Sequence, residues 1–549
     1  MKTFEKYIAI GCMAFILSAC SDFLDTIPND ALSPSIAWNT ESDAEKFVIG
    51  CYDGWENGGD LLYMDCTSDF GYNNFAHEGY RAFGDGTISS DTNKAKNFYN
   101  FKVIRKCNTF LENIDKIHFK DEKVKKDLIA QVKFIRAYNY FKMNWIYGGV
   151  PIIDNYNSAQ EAQVPRNTED EVRKFVEEEL DNLLSDLNKE PSERGRIAQG
   201  AALALRMREA LYYEDWTTAK NSAERIIGLD LYDLDSDYSK IFSMAGQDSK
   251  EIILSVQYLA NLKGLGVIGQ MYNNGEGGWS SIVPTKNLVN TYEMSNGLTI
   301  DEVGSGYDPV HPFANRDPRL GLSICYPGAD YIKADGSLGI FNTLDKEIDG
   351  KKNANFMTSA NNSSKTGLTW NKYLTPITQY DDIWSTGACP IVFRYAEVLL
   401  TWAEAENELN GPSKEVYDKL NLIRNRVGMP DVDESKYATK EELRELIRRE
   451  RAVELAGEGL RRADILRWKT KDGKMLAEIV MNETLERMVG TVSMDANIDQ
   501  TMRATINLEA TAAEKMIESR KFQPHNRYFP IPRTVLDKNL KLTQNLGYN

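Results

Sequence analysis

The segment from Phe393 to Trp468 constrains the fold of this chain more than any other part. It contains FRYAEVLLTWAEAENELNG, LNLIRNRVGMP and LIRRERAVELAGEGLRRADILRW in that order. Apolar residues recur in each string at intervals of three and four, which is the spacing of an amphipathic helix. Asn410-Gly411-Pro412 and Gly428 with Pro430 are signals that end helices. We therefore predict three helical segments joined by short turns.

Helical patterns also fill much of the first half of the chain. They cover Asn93–Ile117, Lys123–Tyr147, Thr168–Leu187, Ala198–Tyr213 and Trp216–Gly228. The last two are separated by a short break near Glu214 and Asp215, and small residues at Ala219 and Ala223 allow two backbones to approach. This pattern is typical of helical hairpins of the tetratricopeptide style. An aromatic stripe at Phe134, Tyr138, Phe141 and Trp145 is predicted to be core.

Two stretches lack a sustained helical period and are rich in Gly, Asn, Ser and aromatic residues. One runs from Asp53 to Asp91, and the other from Ser249 to Pro390, where EIILSVQY is the most strand-like part. Irregular segments of this length inside a compact protein usually carry function. We therefore expect ligand contacts to come from these loops.

The charge of the chain argues against nucleic acid as a partner. Its 81 acidic and 65 basic residues give a formal net charge of −16. Phosphate binding needs a concentrated basic surface. The basic residues between Arg444 and Arg467 are interleaved with glutamates at helical spacings, which indicates a paired or solvated helix face.

The N-terminus has the pattern of a lipoprotein signal. Lys2 and Lys6 precede an apolar run from Ile8 to Leu17, which is too short to span a bilayer and reads as a signal-peptide core. Small residues then lead to Cys20, in Leu17-Ser18-Ala19-Cys20. We expect residues 1–19 to be removed and the Cys20 thiol to be acylated, the alternative being an ordinary secreted protein. Acyl chains would hold the protein on a membrane.

Candidate catalytic patterns are weak. The four histidines are scattered without HExxH spacing, so neither a metal site nor a cofactor is predicted. Gly264, Gly266 and Gly269 match GxGxxG, but the residues after them are poor helix formers, which argues against a dinucleotide site. Glu404 and Glu408 share one helix face. Charge pairing with the arginine-rich helices is the expected role, and a glycosidase acid pair is the alternative.

Several motifs together resemble the SusD/RagB family of outer-membrane nutrient-binding lipoproteins. They are SDFLDTIP after Cys20, FIRAYNYFKMNWIYGGVPII, GRIAQGAALALRMREALYY, EIILSVQY, RDPRL, the 393–468 block and NRYFPIPRTVL near the C-terminus. The resemblance implies a mainly all-α, tetratricopeptide-like scaffold with an inserted loop-rich lobe. Its expected parts are a signal peptide (1–19), an N-terminal helical region (20–250), the lobe (251–390) and a C-terminal helical region (391–549).

The resemblance also implies a function. Family members are anchored in the outer membrane by lipid, face the cell exterior, and pass oligosaccharides to a SusC-like TonB-dependent transporter. Some capture peptides instead, and this sequence does not separate the two ligands. A lipid-anchored hydrolase and a pure protein-binding scaffold are further alternatives. We expect a binding protein without enzymatic activity.

Ligand residues are expected among the aromatic and polar side chains of the loops. Sugar rings stack on planar aromatic faces, and their hydroxyl groups bind Asn, Asp, Arg or Gln nearby. The candidates are Tyr72, Asn73, Asn74, His77 and Tyr80 in the first loop, Tyr272, Asn273, Asn274 and Trp279 in the second, and Trp370, Tyr380 and Trp384 as a third set.

Overall fold

The computed structural model describes residues 38–154, 158, 160–359 and 361–548. The expected signal peptide and Cys20 lie outside these residues. Helices dominate the described chain and the strands are short, which confirms the predicted mainly α-helical fold.

The N-terminal part is built mainly from helices. They are α1 (Glu41–Tyr52), α2 (Gly58–Tyr63), α3 (Arg81–Asp85), α4 (Phe101–Asn113), α5 (Glu122–Tyr147), α6 (Glu169–Leu183), α7 (Gln199–Tyr212) and α8 (Trp216–Gly228). Helices α5 to α8 follow the predicted segments closely. In contrast, α1 was not predicted, and the short α2 and α3 lie in the stretch that was expected to be irregular. The helix predicted from Asn93 starts late, because Asn93–Lys96 is a 3₁₀ turn and α4 begins only at Phe101.

Local signals explain where these helices begin and end. The Asp121 side chain caps α5, and Gly148 ends it in a left-handed conformation with φ of 69°. Glu214 has φ of 60° between α7 and α8, which is the predicted break of the hairpin. Ala219 and Ala223 are fully buried at this contact. The stripe at Phe134, Tyr138, Phe141 and Trp145 is also buried, as predicted.

The loop-rich segment holds short helices and small antiparallel strand pairs. Its helices are α9 (Val267–Met271), α10 (Lys286–Thr291) and α11 (Arg319–Ser323). The strands up to this point and through the segment are β1 (Gly71–Asn73), β2 (Ile252–Ser255), β3 (Ile282–Pro284), β4 (Ile324–Cys325), β5 (Asp330–Ile332), β6 (Leu338–Ile340), β7 (Glu347–Ile348), β8 (Lys351–Lys352), β9 (Thr369–Trp370) and β10 (Ile391–Arg394). They pair as β1–β3, β2–β10, β4–β9, β5–β6 and β7–β8. The β1–β3 pair joins the two predicted loop stretches, with Tyr72 opposite Val283.

The C-terminal part returns to helices. These are α12 (Tyr395–Asn410), α13 (Lys414–Arg426), α14 (Lys440–Glu454), α15 (Arg461–Arg467), α16 (Ala477–Val480), α17 (Ala512–Lys515) and α18 (Arg533–Leu536). Strand pairs β11 (Thr484–Glu486) with β14 (Met516–Ser519) and β12 (Gly490–Val492) with β13 (Ala504–Ile506) lie between them.

The third predicted helical segment is two helices in the structure. Gly457 and Gly459 interrupt it with φ of 78° and 77°, a region that favours glycine. The Gly457 N–H donates to Oδ2 of buried Asp65 at 2.7 Å. A Cβ on Gly459 would lie 2.6 Å from the carbonyl oxygen of Leu61. The break therefore lets the chain between α14 and α15 pack against the first loop stretch.

A buried ion network joins the loop-rich segment to the C-terminal helices. Arg319 contacts Asp317 at 2.6 Å and Glu450 at 3.0 Å, and Arg394 contacts Glu251 at 2.7 Å and Glu458 at 2.7 Å. Its six basic residues are Arg319, Lys372, Arg394, Arg424, Arg426 and Arg449, and its six acidic residues are Glu251, Glu293, Asp317, Glu450, Glu454 and Glu458. The predicted charge pairing near the arginine-rich helices is thus confirmed.

Candidate functional site

Two neighbouring hollows form one groove on the side of the molecule that carries the first loop stretch. Their volumes are about 900 Å³ and 490 Å³. They share Asn57, Asp60, Asn97 and Tyr258 as lining residues, which makes them parts of a continuous surface. Each volume falls in the range of about 300–1,000 Å³ that is typical of ligand sites. We call the two hollows together the groove.

Trp279 and Trp384 form an aromatic pair in the smaller hollow. Their ring centroids are 4.5 Å apart and their planes are inclined by 53°. The two side chains are 41% and 36% exposed, whereas most large aromatic residues of the described chain are buried. An open indole face beside polar groups is a surface on which a sugar ring can stack. Both residues were predicted from the sequence, and the structure brings them together.

Backbone hydrogen bonds fix the position of Trp279. Its N–H donates to the carbonyl of Gly269 at 3.1 Å, and the next two N–H groups donate to Tyr272 at 2.9 Å and Gln270 at 2.7 Å. The intervening turn is capped by the Asn273 side chain, which accepts from the N–H of Glu276 at 3.1 Å. The chain therefore folds back on α9 and presents the indole at the groove.

Three glycines make room for Trp384. A Cβ on Gly264 would lie 2.2 Å from Oγ of Ser385, one on Gly266 3.0 Å from the carbonyl of Trp384, and one on Gly269 2.6 Å from the indole. The Asp382 side chain also accepts from the Trp384 N–H at 2.8 Å. The GxGxxG spacing at these positions thus reflects close packing of the Trp384 segment. Only the five-residue helix α9 begins there.

Polar groups line the junction of the two hollows. The Asn97 amide donates to Asp60 at 3.0 and 3.2 Å, and the Tyr80 hydroxyl donates to Asp60 at 2.5 Å. The Tyr258 hydroxyl accepts from the N–H of Gly58 at 2.9 Å. Asn57 is exposed at the same junction. These groups offer donors and acceptors to a polyhydroxylated ligand.

The larger hollow is lined by charged residues that are mostly paired. Lys142 binds both carboxylate oxygens of buried Glu56, at 2.6 and 2.5 Å. Tyr138 donates to the same carboxylate, and burial followed by the Glu56 charge raises the pKa of this phenol. Lys263 contacts Asp53 at 2.6 Å on the rim.

The remaining sequence candidates lie outside the groove or beneath it. Tyr72, Asn73, Asn74, Tyr80, Tyr272, Asn273 and Trp370 are buried. Tyr80 stacks on Tyr63, with centroids 4.5 Å apart, and supports the floor of the smaller hollow. Asn74 donates to the carbonyl of Ser363 at 3.0 Å, so its amide is used internally. We therefore leave the buried side chains other than Tyr80 out of the proposed site.

Three further candidates are partly or fully exposed but do not line the groove. His77 is exposed beside Phe75, Asn274 donates to the carbonyl of Ala354 at 2.8 Å, and Tyr380 lines a separate hollow next to Asp381. The predicted set therefore contributes Trp279 and Trp384 directly.

Several groove residues were not among the sequence candidates. Asn57 and Asp60 lie in the first loop stretch, and Tyr258 is the last residue of the strand-like EIILSVQY, so their regions were expected. Lys94 and Asn97 were not identified as candidate ligand residues because their segment has a helical sequence pattern. Gln270 belongs to α9, a helix too short to give a periodic signal.

Glu404 and Glu408 are ion-paired within the helical region, as predicted. Arg467 binds Glu404 at 2.6 and 2.7 Å, and the Trp468 indole donates to the same carboxylate at 2.9 Å. Although burial raises the pKa of Glu404, the arginines and these hydrogen bonds outweigh it and lower the pKa to about 2. Arg444 binds Glu408 at 2.5 and 2.7 Å. A carboxylate this acidic is unsuited to donate a proton as a glycosidase acid.

Two other classes of feature do not occur in the described residues. They contain no group of three or more His, Cys, Asp or Glu side chains arranged to hold a metal ion. The described helices include none with both the length and the apolar character that a bilayer span requires.

Comparisons with known proteins agree with the geometry. Residues 245–548 match the SusD family model, and residues 22–210 match the model described as "Starch-binding associating with outer membrane". A curated relative is SusD-like protein P25 of Formosa agariphila, 26% identical over 509 residues that cover 84% of this chain and 90% of that protein.

Solved structures show the same fold. A SusD-like carbohydrate-binding protein of Bacteroides fragilis superposes with a TM-score of 0.79 at 27% identity, covering 92% of this chain and 99% of that one. A second SusD-like protein of the same organism gives 0.77 at 26% identity, covering 94% and 99%. These matches confirm the predicted SusD-like helical scaffold. Because the SusD family model also covers more than half of the residues, the chain belongs to the SusD/RagB family of carbohydrate-binding proteins associated with the outer membrane.

Proposed function

We propose that this protein captures oligosaccharides in the groove, with Trp279 and Trp384 as the stacking surface. The observation that carries the proposal is the exposure of these two indoles in a hollow lined by polar side chains. Such a surface binds the C–H faces of sugar rings, while Asn57, Asn97 and Gln270 offer hydrogen bonds to hydroxyl groups. The family membership supports carbohydrate as the ligand class.

The proposed cellular role is glycan delivery at the cell surface. We infer that acylated Cys20 anchors the protein on the outer membrane facing outward, and that a SusC-like TonB-dependent transporter receives the ligand. The lipoprotein signal and the family's outer-membrane association support this placement. The salt bridges of Glu404 and Glu408 support a binding role over a hydrolytic one.

Calorimetry of a soluble chain that starts after Cys20 tests the binding role. Plant, host and microbial oligosaccharides would be titrated, with a peptide digest as comparator. We expect saturable binding to one glycan class, reduced at least tenfold by Trp279→Ala and by Trp384→Ala. Leu338→Ala is the matched control because Leu338 is 62% exposed on β6, outside the groove.

Two outcomes would contradict the proposal. One is unchanged glycan affinity in both tryptophan variants, which would place the site elsewhere. The other is saturable heat with peptides alone, which would assign the groove to peptide capture. Incubation of the same protein with the bound oligosaccharide checks the non-catalytic role, and we expect the saccharide to remain intact.

A further inference from the structure

The groove differs in charge from the rest of the molecule. The whole chain has a formal charge of −16. The groove lining nevertheless contains more cations than carboxylates. The cations are Lys94, Lys142, Arg194, Arg196 and Lys263, and the carboxylates are Asp53, Glu56, Asp60 and Glu193. The groove is therefore far less acidic than the chain as a whole, so an anionic ligand meets little repulsion there.

Four of the five cations are already paired with carboxylates. Lys142 contacts Glu56 at 2.5 Å and Lys263 contacts Asp53 at 2.6 Å. The other two are arginines. Arg194 contacts Asp248 at 3.1 Å, and Arg196 contacts Glu193 at 2.9 Å. Lys94 is therefore the one cation of the groove lining that forms no ion pair with a carboxylate of the described residues.

Lys94 is held over aromatic rings in the smaller hollow. Its Nζ lies 5.2 Å from the centroid of Tyr80 and 5.9 Å from that of Tyr63. Within the described part of the chain, Lys94 has no carboxylate oxygen within 4.0 Å and forms no side-chain hydrogen bond. The side chain is half-buried and lines the same hollow as Trp279 and Trp384.

The nearby carboxylates are already bound to uncharged donors. Asp60 accepts from the Tyr80 hydroxyl at 2.5 Å and from the Asn97 amide at 3.0 Å. Glu78, which lies beside Gly79 and Tyr63, accepts from the Asn73 amide at 2.5 Å and from the Ser281 hydroxyl at 2.8 Å. Neither forms an ion pair with Lys94. An ammonium beside a stacking surface, without its own counterion, is available to a charged ligand group.

We propose that Lys94 selects an anionic saccharide by binding a carboxylate or a sulfate ester on a sugar stacked against Trp279 and Trp384. This inference rests on the proposed glycan-binding function and names its ligand class. Uronic acids and sulfated sugars share the required chemistry, a negative group beside a sugar ring. The Nζ group binds either anion as a point charge.

Isothermal titration with three sets of oligosaccharides tests the ligand class. The carboxylated set is oligogalacturonate and alginate-derived oligouronate, the sulfated set is carrageenan oligosaccharides, and the neutral set is maltohexaose, laminarihexaose and xylohexaose. We expect the tightest ligand to be carboxylated or sulfated, and the set that contains it identifies the anionic group. Its affinity should fall at least tenfold in Lys94→Gln and less than threefold in Lys94→Arg.

A control and a salt series separate this role from a structural one. Lys346→Gln removes an exposed lysine outside the groove and should leave affinity unchanged. The affinity of the unmodified protein for its anionic ligand should decline as the salt concentration rises. The affinity of Lys94→Gln should depend less on salt, because one charge interaction has been removed.

The failures of the two proposals are distinguishable. The tightest ligand could instead be a neutral oligosaccharide whose affinity falls in Trp279→Ala but not in Lys94→Gln. That result would overturn the proposal of an anionic ligand and leave the proposal of glycan capture intact. An anionic ligand whose affinity is unchanged in Lys94→Gln would also overturn the role of Lys94. Absence of saturable binding in all three sets would overturn both proposals.

Discussion

Gly269 lies against the ring of Trp384 so closely that a Cβ at this glycine would be 2.6 Å from the indole. Gly269→Ala therefore forces the ring to move, and Trp384 has room to do so because it is 36% exposed. We expect glycan affinity to fall about tenfold by calorimetry. Overpacking typically destabilises by about 1–3 kcal/mol, and the cost here should lie near the lower end because the indole is at the surface.

The matched control is Gly228→Ala. Gly228 ends α8, has no positive φ, and leaves open space around the position that a Cβ would take, with no neighbouring atom within 4 Å. The affinity of this variant should equal that of the unmodified protein. Equal loss of affinity in both variants would contradict the role of Gly269 in seating Trp384.

The turn between α14 and α15 gives a second prediction. Gly457 has φ of 78°, and a Cβ there would lie 3.0 Å from the ring of buried Trp370. Gly473 has nearly the same φ, 77°, with nothing within 4 Å. Left-handed backbone costs about 1–2 kcal/mol for a residue with a Cβ. Gly457→Ala should therefore lower the free energy of unfolding in urea by more than Gly473→Ala, and equal losses would exclude the packing contribution.

The buried carboxyl group of Asp65 should make the stability of the protein depend on pH. Burial raises its pKa from 3.8 to about 7, although the Gly457 N–H opposes the shift. Between these pH values the folded state keeps a proton that the unfolded state has lost, so the contribution of Asp65 to stability declines as pH rises from about 4 to 7. Asp65→Asn retains an acceptor for Gly457 and removes this titration.

We therefore expect the stability of Asp65→Asn relative to the unmodified protein to increase from pH 5 to pH 8, by a few kcal/mol at most. Denaturant unfolding at several pH values measures the difference. A difference that is constant with pH would show that Asp65 is ionised at both ends of the range.

Glu404 should give the stability of the protein the opposite pH dependence. Its pKa is lowered to about 2, so its stabilising contribution is present above about pH 4.5 and is lost as pH falls towards 2. Glu404→Gln leaves Arg467 buried without one of its two carboxylate partners and should destabilise by about 3–5 kcal/mol at neutral pH. The difference from the unmodified protein should shrink near pH 3. An equal effect at both pH values would contradict the assigned ion pair.

The helices were predictable where apolar periodicity and end signals agree. Trp216–Gly228 has the predicted limits, and α5 begins one residue before its predicted start, because Asp121 and Gly148 supply clear caps. The break at Gly457 was not predicted, since the charged and apolar periodicity of α14 continues across it. Its cause is a contact with Asp65, almost 400 positions earlier, which no local pattern reveals.

The candidate site was predictable in part. Trp279 and Trp384 were identified as aromatic loop residues, and the structure adds that both face one hollow. Tyr72 and Trp370 have the same composition-based signal but are buried in β1 and β9. Exposure of an aromatic residue in an irregular loop depends on which strands pair, and the short β1–β3 and β4–β9 pairs have no distinctive sequence pattern.

The balanced ion network has a consequence for how ligand reaches the groove. Trp279 and Trp384 belong to a segment that is tied to the C-terminal helices by buried ion pairs. Glu251 contacts Arg426 of α13, and Arg319 contacts Glu450 and Glu454 of α14. Swinging this segment outward as a lid would separate buried opposite charges, at several kcal/mol for each pair broken. The protein is therefore expected to meet its ligand as a preformed receptor, and encounter should be limited by diffusion and orientation instead of by domain opening.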